Sequence, residues 1–301
     1  VSSSGYAWGY AGSCIPFVVS LVFVLGYQKM GFSFETGMMI AFAVVAVWWL
    51  VMSLPLMKQY RQVHYVERKP HAMRESVGRI IEKLRSVRKQ KKIFLFLIAF
   101  FFFIDGVYTI IDMATAYGSA LGLDSTGMML ALLLVQILGL PFCLLYIKCS
   151  EKFGARTMVG FGICVYMFIC IFAFFMNSLW QFWVLAVLCA TSQGGIQALS
   201  RSMYGKLIPD KDRSGEFFGF FDIFGKFSSI MGPALVGVVS SVVANGMLGA
   251  QGLTAQTATA EQIDAINAQS SHYGILSIII IIIVGAVLYF GFLPKAEHAK
   301  Q

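Results

Sequence analysis

The chain has 301 residues, of which 58% are apolar and only 13% charged, and its mean hydropathy is +0.74. An ordinary soluble domain has about 45–50% apolar and about 25% charged residues, so this composition excludes a soluble globular protein. The fold class that we expect is an all-α membrane protein built as a helical bundle.

Eight apolar segments have the length that a helix needs to cross a bilayer, and they predict about eight transmembrane helices. Long apolar runs determine the number of spans better than they determine the span ends. In chain order the predicted spans are Gly5–Tyr27, Gly37–Met57, Ile93–Tyr117, Gly127–Ile147, Thr157–Met176, Trp180–Ser200, Phe217–Val243 and Tyr273–Leu293.

The formal net charge of +8 is concentrated in one loop. Residues 58–92 contain twelve Lys or Arg and three Glu, a net charge of +9, and their apolar spacing predicts an amphipathic helix on the membrane surface. A basic segment between two spans indicates a cytoplasmic loop, because positive charge is retained on that side. With this loop inside, Lys29 is the only basic residue of the outer segments. Nucleic acid is therefore not an expected partner.

The spans divide into two followed by six. We predict that residues 1–57 are the end of an N-terminal bundle, 58–92 a basic loop, 93–294 a C-terminal six-helix bundle and 295–301 a cytoplasmic tail. This layout matches a twelve-helix transporter without its first four helices. We therefore expect a fragment that holds helices five to twelve and works with the missing N-terminal helices of the same protein. The longest outer loop, 244–271, is expected to be flexible with one short helix.

Acidic side chains within a bilayer are costly, so they usually face a cavity or a partner. Asp105 lies near the middle of the third span, and Thr109 and Asp112 follow on the same helix face with Tyr108 beside them. We expect this face to look into the protein. Asp105 could contact substrate or carry a proton or cation, or it could bond the backbone of a neighbouring helix or a basic side chain. Asp112 could instead lie at the wet outer boundary.

A polar stripe runs down the sixth span to the inner surface. Gln193, Gln197, Ser200 and Arg201 recur at helical spacing. The two amides could bind a substrate, or they could join neighbouring helices. Gln136 in the fourth span is a further candidate for the same site.

Charged residues at and near the inner helix ends predict a gate. In the seventh span, Asp222 and Lys226 have the i,i+4 spacing of an intrahelical ion pair. Arg201 is expected to be an interfacial anchor or a gate partner. No His or Cys spacing indicates a metal site, and no cluster of catalytic residues occurs within the spans. We expect no cofactor, no metal and no enzymatic activity.

The segment 147–156, IKCSEKFGAR, resembles the second loop signature of the major facilitator superfamily, with Glu151, Lys152, Gly154 and Arg156 at matching positions. The segments 4–12, 105–110 and 197–209, with Gly232-Pro233 after them, resemble the vacuole-effluxer-like, autophagy-related branch of that superfamily. The resemblance covers nearly the whole chain. It implies two helix bundles with alternating access, and for fungal relatives it suggests export of amino acids from the vacuole.

In this superfamily the first and fourth helices of each half line the central cavity, and here these are the third and sixth spans. The resemblance therefore favours Asp105 and the glutamine stripe as parts of a substrate site. By the same resemblance, Glu151, Lys152 and Arg156 would form a cytoplasmic latch.

We therefore predict a secondary transporter that moves a small polar solute, with amino-acid efflux as the specific case that the resemblance suggests. Its expected partners are the lipid bilayer, the solute and protons, and its expected location is a bacterial inner membrane. A channel or a lipid scramblase is the alternative. The predicted substrate and coupling residues are Asp105, Tyr108, Thr109, Asp112, Gln136, Gln193 and Gln197, and the predicted gate residues are Glu151, Lys152, Arg156, Arg201, Asp222 and Lys226.

Overall fold

The computed structural model describes residues 2–61, 90–209, 211, 214–254 and 256–292. All regular structure in these residues is helical, and each of the eight helices is long and apolar enough to cross a membrane. The predicted all-α membrane fold with about eight spans is confirmed. The helices are α1 (Ser2–Gly26), α2 (Phe34–Gln59), α3 (Lys91–Ala120), α4 (Ser125–Phe153), α5 (Ala155–Phe174), α6 (Leu179–Leu207), α7 (Ser214–Ala250) and α8 (Ala260–Phe292).

Helices extend into both ends of the predicted basic loop, since α2 continues to Gln59 and α3 begins at Lys91. The remainder of that loop, with its predicted amphipathic helix, lies outside the described residues, as does the predicted tail at 295–301. These two predictions stay predictions.

Side chains and glycines fix several helix ends. Asp124 caps α4 by accepting a hydrogen bond from the backbone N–H of Gly127 at 2.6 Å. Ser178 and Gln181 form a capping box at the start of α6. Gly122 and Gly154 have φ angles of +70° and +86°, which a residue with a Cβ rarely adopts, and they end α3 and α4 in sharp turns.

The last two helices are longer than a bilayer requires. Helix α7 has 37 residues and α8 has 33, so each is about 50 Å long or more, whereas the hydrocarbon core is about 30 Å thick. The prediction of a flexible loop over residues 244–271 is wrong, because only the connection between Ala250 and Ala260 is not helical. Buried Leu248 and Ile266 give these ends apolar contacts that their polar composition does not suggest.

The chain groups into two compact units, of which Ala11–Phe94 is the smaller. Within it, Ser20 Oγ of α1 donates to the carbonyl of Ala41 on α2 at 3.4 Å. Most side chains of α2 are exposed, with Trp49 73% exposed, as expected for a surface that faces lipid.

The larger unit combines Leu95–Gln301 with Val1–Tyr10. The predicted domain boundaries at 57/58 and 92/93 stay predictions.

Helix α3 is the most enclosed helix of the larger unit. Two-thirds of its most apolar stretch is buried, against 17% for α7. Its backbone lies very close to α8, where a Cβ on Gly285 would be 2.6 Å from the backbone nitrogen of Phe103. On another side, the ring of Phe100 stacks on Phe221 of α7 at 4.2 Å between centroids. Around this centre, α4 packs on α6, and α5 packs on α6 and α8.

Candidate translocation site

Asp105 lies on the central helix and is completely buried. Its Oδ1 accepts a hydrogen bond from the backbone N–H of Gly232 on α7 at 2.9 Å and a longer one, at 3.4 Å, from Thr109 Oγ1. Its Oδ2 is also buried and has no hydrogen-bond partner among the residues that the structure describes. The carboxyl group therefore joins α3 to α7 through Oδ1, and none of these residues pairs with Oδ2.

The sequence permits this contact because residue 232 is a glycine. A Cβ at this position would collide with Thr109 Oγ1 and lie 2.8 Å from Asp105 Oδ1. Pro233 follows directly and has no N–H to donate, so α7 is already irregular in its hydrogen bonding here. Gly232-Pro233 thus lets a side chain of α3 reach the α7 backbone.

The predicted polar face of α3 divides into a buried part and an exposed part. Thr109 is completely buried with Asp105, and Tyr108 is half-buried. Asp112 is exposed, so the expectation that the whole face looks into the protein is wrong at this position. Asp112 lies about 10 Å further along the axis than Asp105, and α3 is buried again beyond it at Tyr117, so the exposure is local to Asp112.

The glutamine stripe on α6 is partly exposed at its two amides. Gln193 and Gln197 are half-buried, and neither side chain makes a hydrogen bond with any residue that the structure describes. The alternative reading, in which these amides join neighbouring helices, thus finds no support in the contacts. Ser200 is completely buried, and no residue in the described part of the chain pairs with its hydroxyl. Gln136 on α4 is half-buried and already has an interaction partner.

An ion pair lies at the end of the stripe that is predicted to reach the inner surface. Arg201 Nη1 lies 2.8 Å from Asp222 Oδ1 on α7, with the two side chains 35% and 51% exposed. The guanidinium group also lies 4.8 Å from the ring centroid of Phe218. The predicted pair of Asp222 with Lys226 is therefore wrong, because an arginine of the neighbouring helix takes the carboxylate instead.

The predicted latch residues do not form a charged cluster among themselves. Glu151 is exposed, and Lys152 Nζ lies 5.4 Å from the ring centroid of Phe153. Arg156 instead turns to α8, where its Nη2 donates to the carbonyl of Phe290 at 3.4 Å. The hydroxyl of Tyr289 donates back to the Arg156 carbonyl at 3.0 Å. These contacts tie the start of α5 to the end of α8.

Sequence reasoning missed two tyrosines near the start of α1. The ring of Tyr10 occupies a notch formed by two glycines, since a Cβ on Gly139 or Gly194 would lie 2.7 or 2.8 Å from it. Tyr6 lies near enough to Arg201 and Asp222 for their charges to act on its hydroxyl. The sequence signal for this contact is the pair Gly139 and Gly194 in neighbouring spans. Two facing glycines predict that a large side chain packs between their helices, but they do not identify that side chain.

These features define a multi-pass helical membrane protein with a buried acid, an unpaired amide stripe and an ion pair at its lower end. Residues 1–248 match the family described as vacuole effluxer Atg22 like, and the chain belongs to this family. The predicted resemblance is thereby confirmed.

Three relatives illustrate the similarity. The chain is 39% identical over 297 residues to an uncharacterized MFS-type transporter, YxiO, of Bacillus subtilis, which covers 98% of this chain and 63% of the relative. It is 24% identical over 270 residues to autophagy-related protein 22 of Yarrowia lipolytica, covering 79% and 45%. For autophagy-related protein 22 of Saccharomyces cerevisiae the identity is 26% over 284 residues, covering 81% and 52%. The chain thus spans about half to three-fifths of these relatives, and no solved structure matches it.

Proposed function

We propose that the chain is the larger part of a secondary active transporter that moves a small polar solute across a bacterial inner membrane by alternating access. The observation that carries the proposal is Asp105, completely buried on the central helix with one carboxyl oxygen unpaired. Membership of an effluxer family and similarity to an MFS-type transporter support it. Missing N-terminal helices of the same protein would complete the first bundle with α1 and α2.

Asp105 is the proposed coupling group. A buried carboxylate with an unpaired oxygen is costly, and no described side chain forms an ion pair with Asp105, so we propose that a bound proton neutralises it. When α3 and α7 separate, water reaches the carboxyl group and the proton can leave. Proton release would then be tied to the same movement that opens the solute path.

The solute site is proposed to lie along α6, facing Tyr108 of α3. Gln193 and Gln197 offer unpaired donors and acceptors without net charge, and the Arg201–Asp222 pair below them offers one charge of each sign. Such a lining suits small zwitterions, and amino acids are the solute class that we propose, with efflux as the direction. Opening of the Arg201–Asp222 pair, and of the Arg156 contacts to α8, would release the inner gate.

The test is gradient-driven uptake by the full-length protein in sealed vesicles. We expect saturable amino-acid uptake in the natural protein and none in Asp105→Asn. Asparagine still accepts the Gly232 hydrogen bond but cannot exchange a proton, so membrane expression should be unchanged. Asp124→Asn is the matched control, because asparagine keeps the α4 cap and this site is not part of the proposed path.

Natural uptake with unchanged pH dependence in Asp105→Asn would refute the coupling role. Flux that rises linearly with solute concentration in both proteins would instead support a channel or a scramblase.

A further inference from the structure

A cavity lies between the ends of α3, α7 and α8 that are predicted to face away from the cytoplasm. Its volume is about 810 Å³, within the range of small-molecule sites. None of the residues predicted for the solute path lines it. The lining residues are Ser119, Ala120, Leu121, Gly122, Ser240, Ser241, Ala244, Asn245, Leu248, Ile263, Asp264, Asn267, Ala268, Ser270 and Ser271.

The walls of this outer cavity are fixed by contacts within and between the helices. Helix α7 approaches α8 closely at its inner edge, where a Cβ on Gly274 would lie 3.0 Å from the Val236 carbonyl oxygen. Ser270 and Ser271 both donate to the backbone carbonyl of Asn267, at 3.1 and 2.7 Å. On the opposite side of the cavity, the positive-φ turn at Gly122 ends α3. The cavity is therefore an open groove with fixed walls, and the side chains of Asn245, Asp264 and Asn267 at its rim are exposed.

The chemistry of the lining selects for hydroxyl and ammonium groups. More than half of the lining residues carry a hydroxyl, an amide or a carboxylate, and none is a Lys, Arg or His. The side chains of Asn245, Asp264 and Asn267 make no hydrogen bond with any described residue, so they are available to a ligand. Asp264 supplies the one formal charge, and the carboxyl end of α3 adds partial negative charge beside it.

We propose that this outer cavity binds a small hydroxylated organic cation, with its ammonium group at Asp264 and its hydroxyl groups on Asn245, Asn267 and the serines. Anions are disfavoured, because the lining has no cation to pair with them. Binding here does not require that the protein transport the same solute, so the inference goes beyond the proposed function.

The test uses three sugars of similar size and different charge: glucosamine, glucose and glucuronate. Their binding to the full-length protein in detergent is titrated by saturation-transfer NMR. We expect glucosamine to bind about tenfold more tightly than glucose, and glucuronate more weakly than both. Asp264→Asn should remove the preference for glucosamine. Glu261→Gln is the matched control, since it removes an equal charge three residues earlier on α8 from a side chain outside the lining.

Ala268→Phe should weaken binding of all three sugars, because the added ring would project from the wall into the space that they occupy. Equal affinities for the three sugars, an unchanged preference in Asp264→Asn, or no glucosamine binding up to about 10 mM would each overturn the proposal. A negative result in this binding test would not change the uptake expected in vesicles. The proposed cavity ligand and the proposed transport function can therefore be refuted separately.

Discussion

At the scale of single residues, Asp105 and Gly232 depend on each other. The acid needs a backbone N–H that is not enclosed by a side chain, and the glycine provides it at 2.9 Å beside a proline. Asp105 was predictable from sequence as a buried acid, because few acids occur within the spans. Its partner was not, because nothing in the spacing along α3 says which backbone atom of α7 lies opposite.

Replacement of Gly232 tests this contact. Gly232→Ala should destabilise the protein by about 1–3 kcal/mol, because the added Cβ would collide with Thr109 and Asp105. Gly237→Ala, on the same helix, is the matched control: no atom lies within 4 Å of its added Cβ, and its effect should stay within about 1 kcal/mol. Unfolding in a titration with sodium dodecyl sulfate measures both. Equal stability of the two variants would show that α3 and α7 are not in contact at Gly232.

The i,i+4 rule predicts Lys226 as the partner of Asp222, whereas the structure pairs Asp222 with Arg201. Double-mutant cycles with Asp222→Asn separate the two. Because both side chains of the Arg201–Asp222 pair are partly exposed, we expect a modest coupling of about 0.2–1 kcal/mol with Arg201→Gln. The cycle with Lys226→Gln should show a smaller coupling. A larger coupling energy with Lys226 than with Arg201 would show that Asp222 pairs within its own helix.

At the scale of elements, hydropathy located the helices well where they cross the bilayer and poorly where they leave it. The predicted seventh span ends at Val243, and the predicted eighth span begins at Tyr273. In the structure, α7 continues to Ala250 and α8 already begins at Ala260. The additional turns are rich in Ala, Asn, Gln and Ser, so a hydropathy pattern cannot separate them from a polar loop. Their helical state depends on contacts between the two helices, which a single segment does not reveal.

Hydrogen exchange tests these helical extensions. We expect the backbone amides of residues 244–250 and 262–271 to exchange slowly, because they are hydrogen-bonded within α7 and α8. Amides of the connection between Ala250 and Ala260 should exchange much faster. The amides of the α4 core serve as a slow reference within the same sample. Uniformly fast exchange across residues 244–271 would favour the flexible loop that the sequence indicated.

At the scale of the whole molecule, the chain combines membership of an effluxer family with a central buried helix and a polar stripe. Composition and charge distribution were sufficient to predict the membrane class, since no other class combines this hydropathy with one basic loop. The side-chain partners of Arg201, Arg156 and Tyr10 were not predictable, because each lies on a different helix. Under the proposed function, these are the contacts that we expect to open during transport.

We propose that solute movement and proton movement are coupled through Asp105. The most direct measurement is the internal pH of vesicles that contain the full-length protein, followed with an enclosed dye while an amino-acid gradient is applied. We predict a solute-dependent pH change in the natural protein and none in Asp105→Asn, which should still exchange labelled for unlabelled solute because exchange needs no net proton release. An equal pH change in both proteins would contradict the claim.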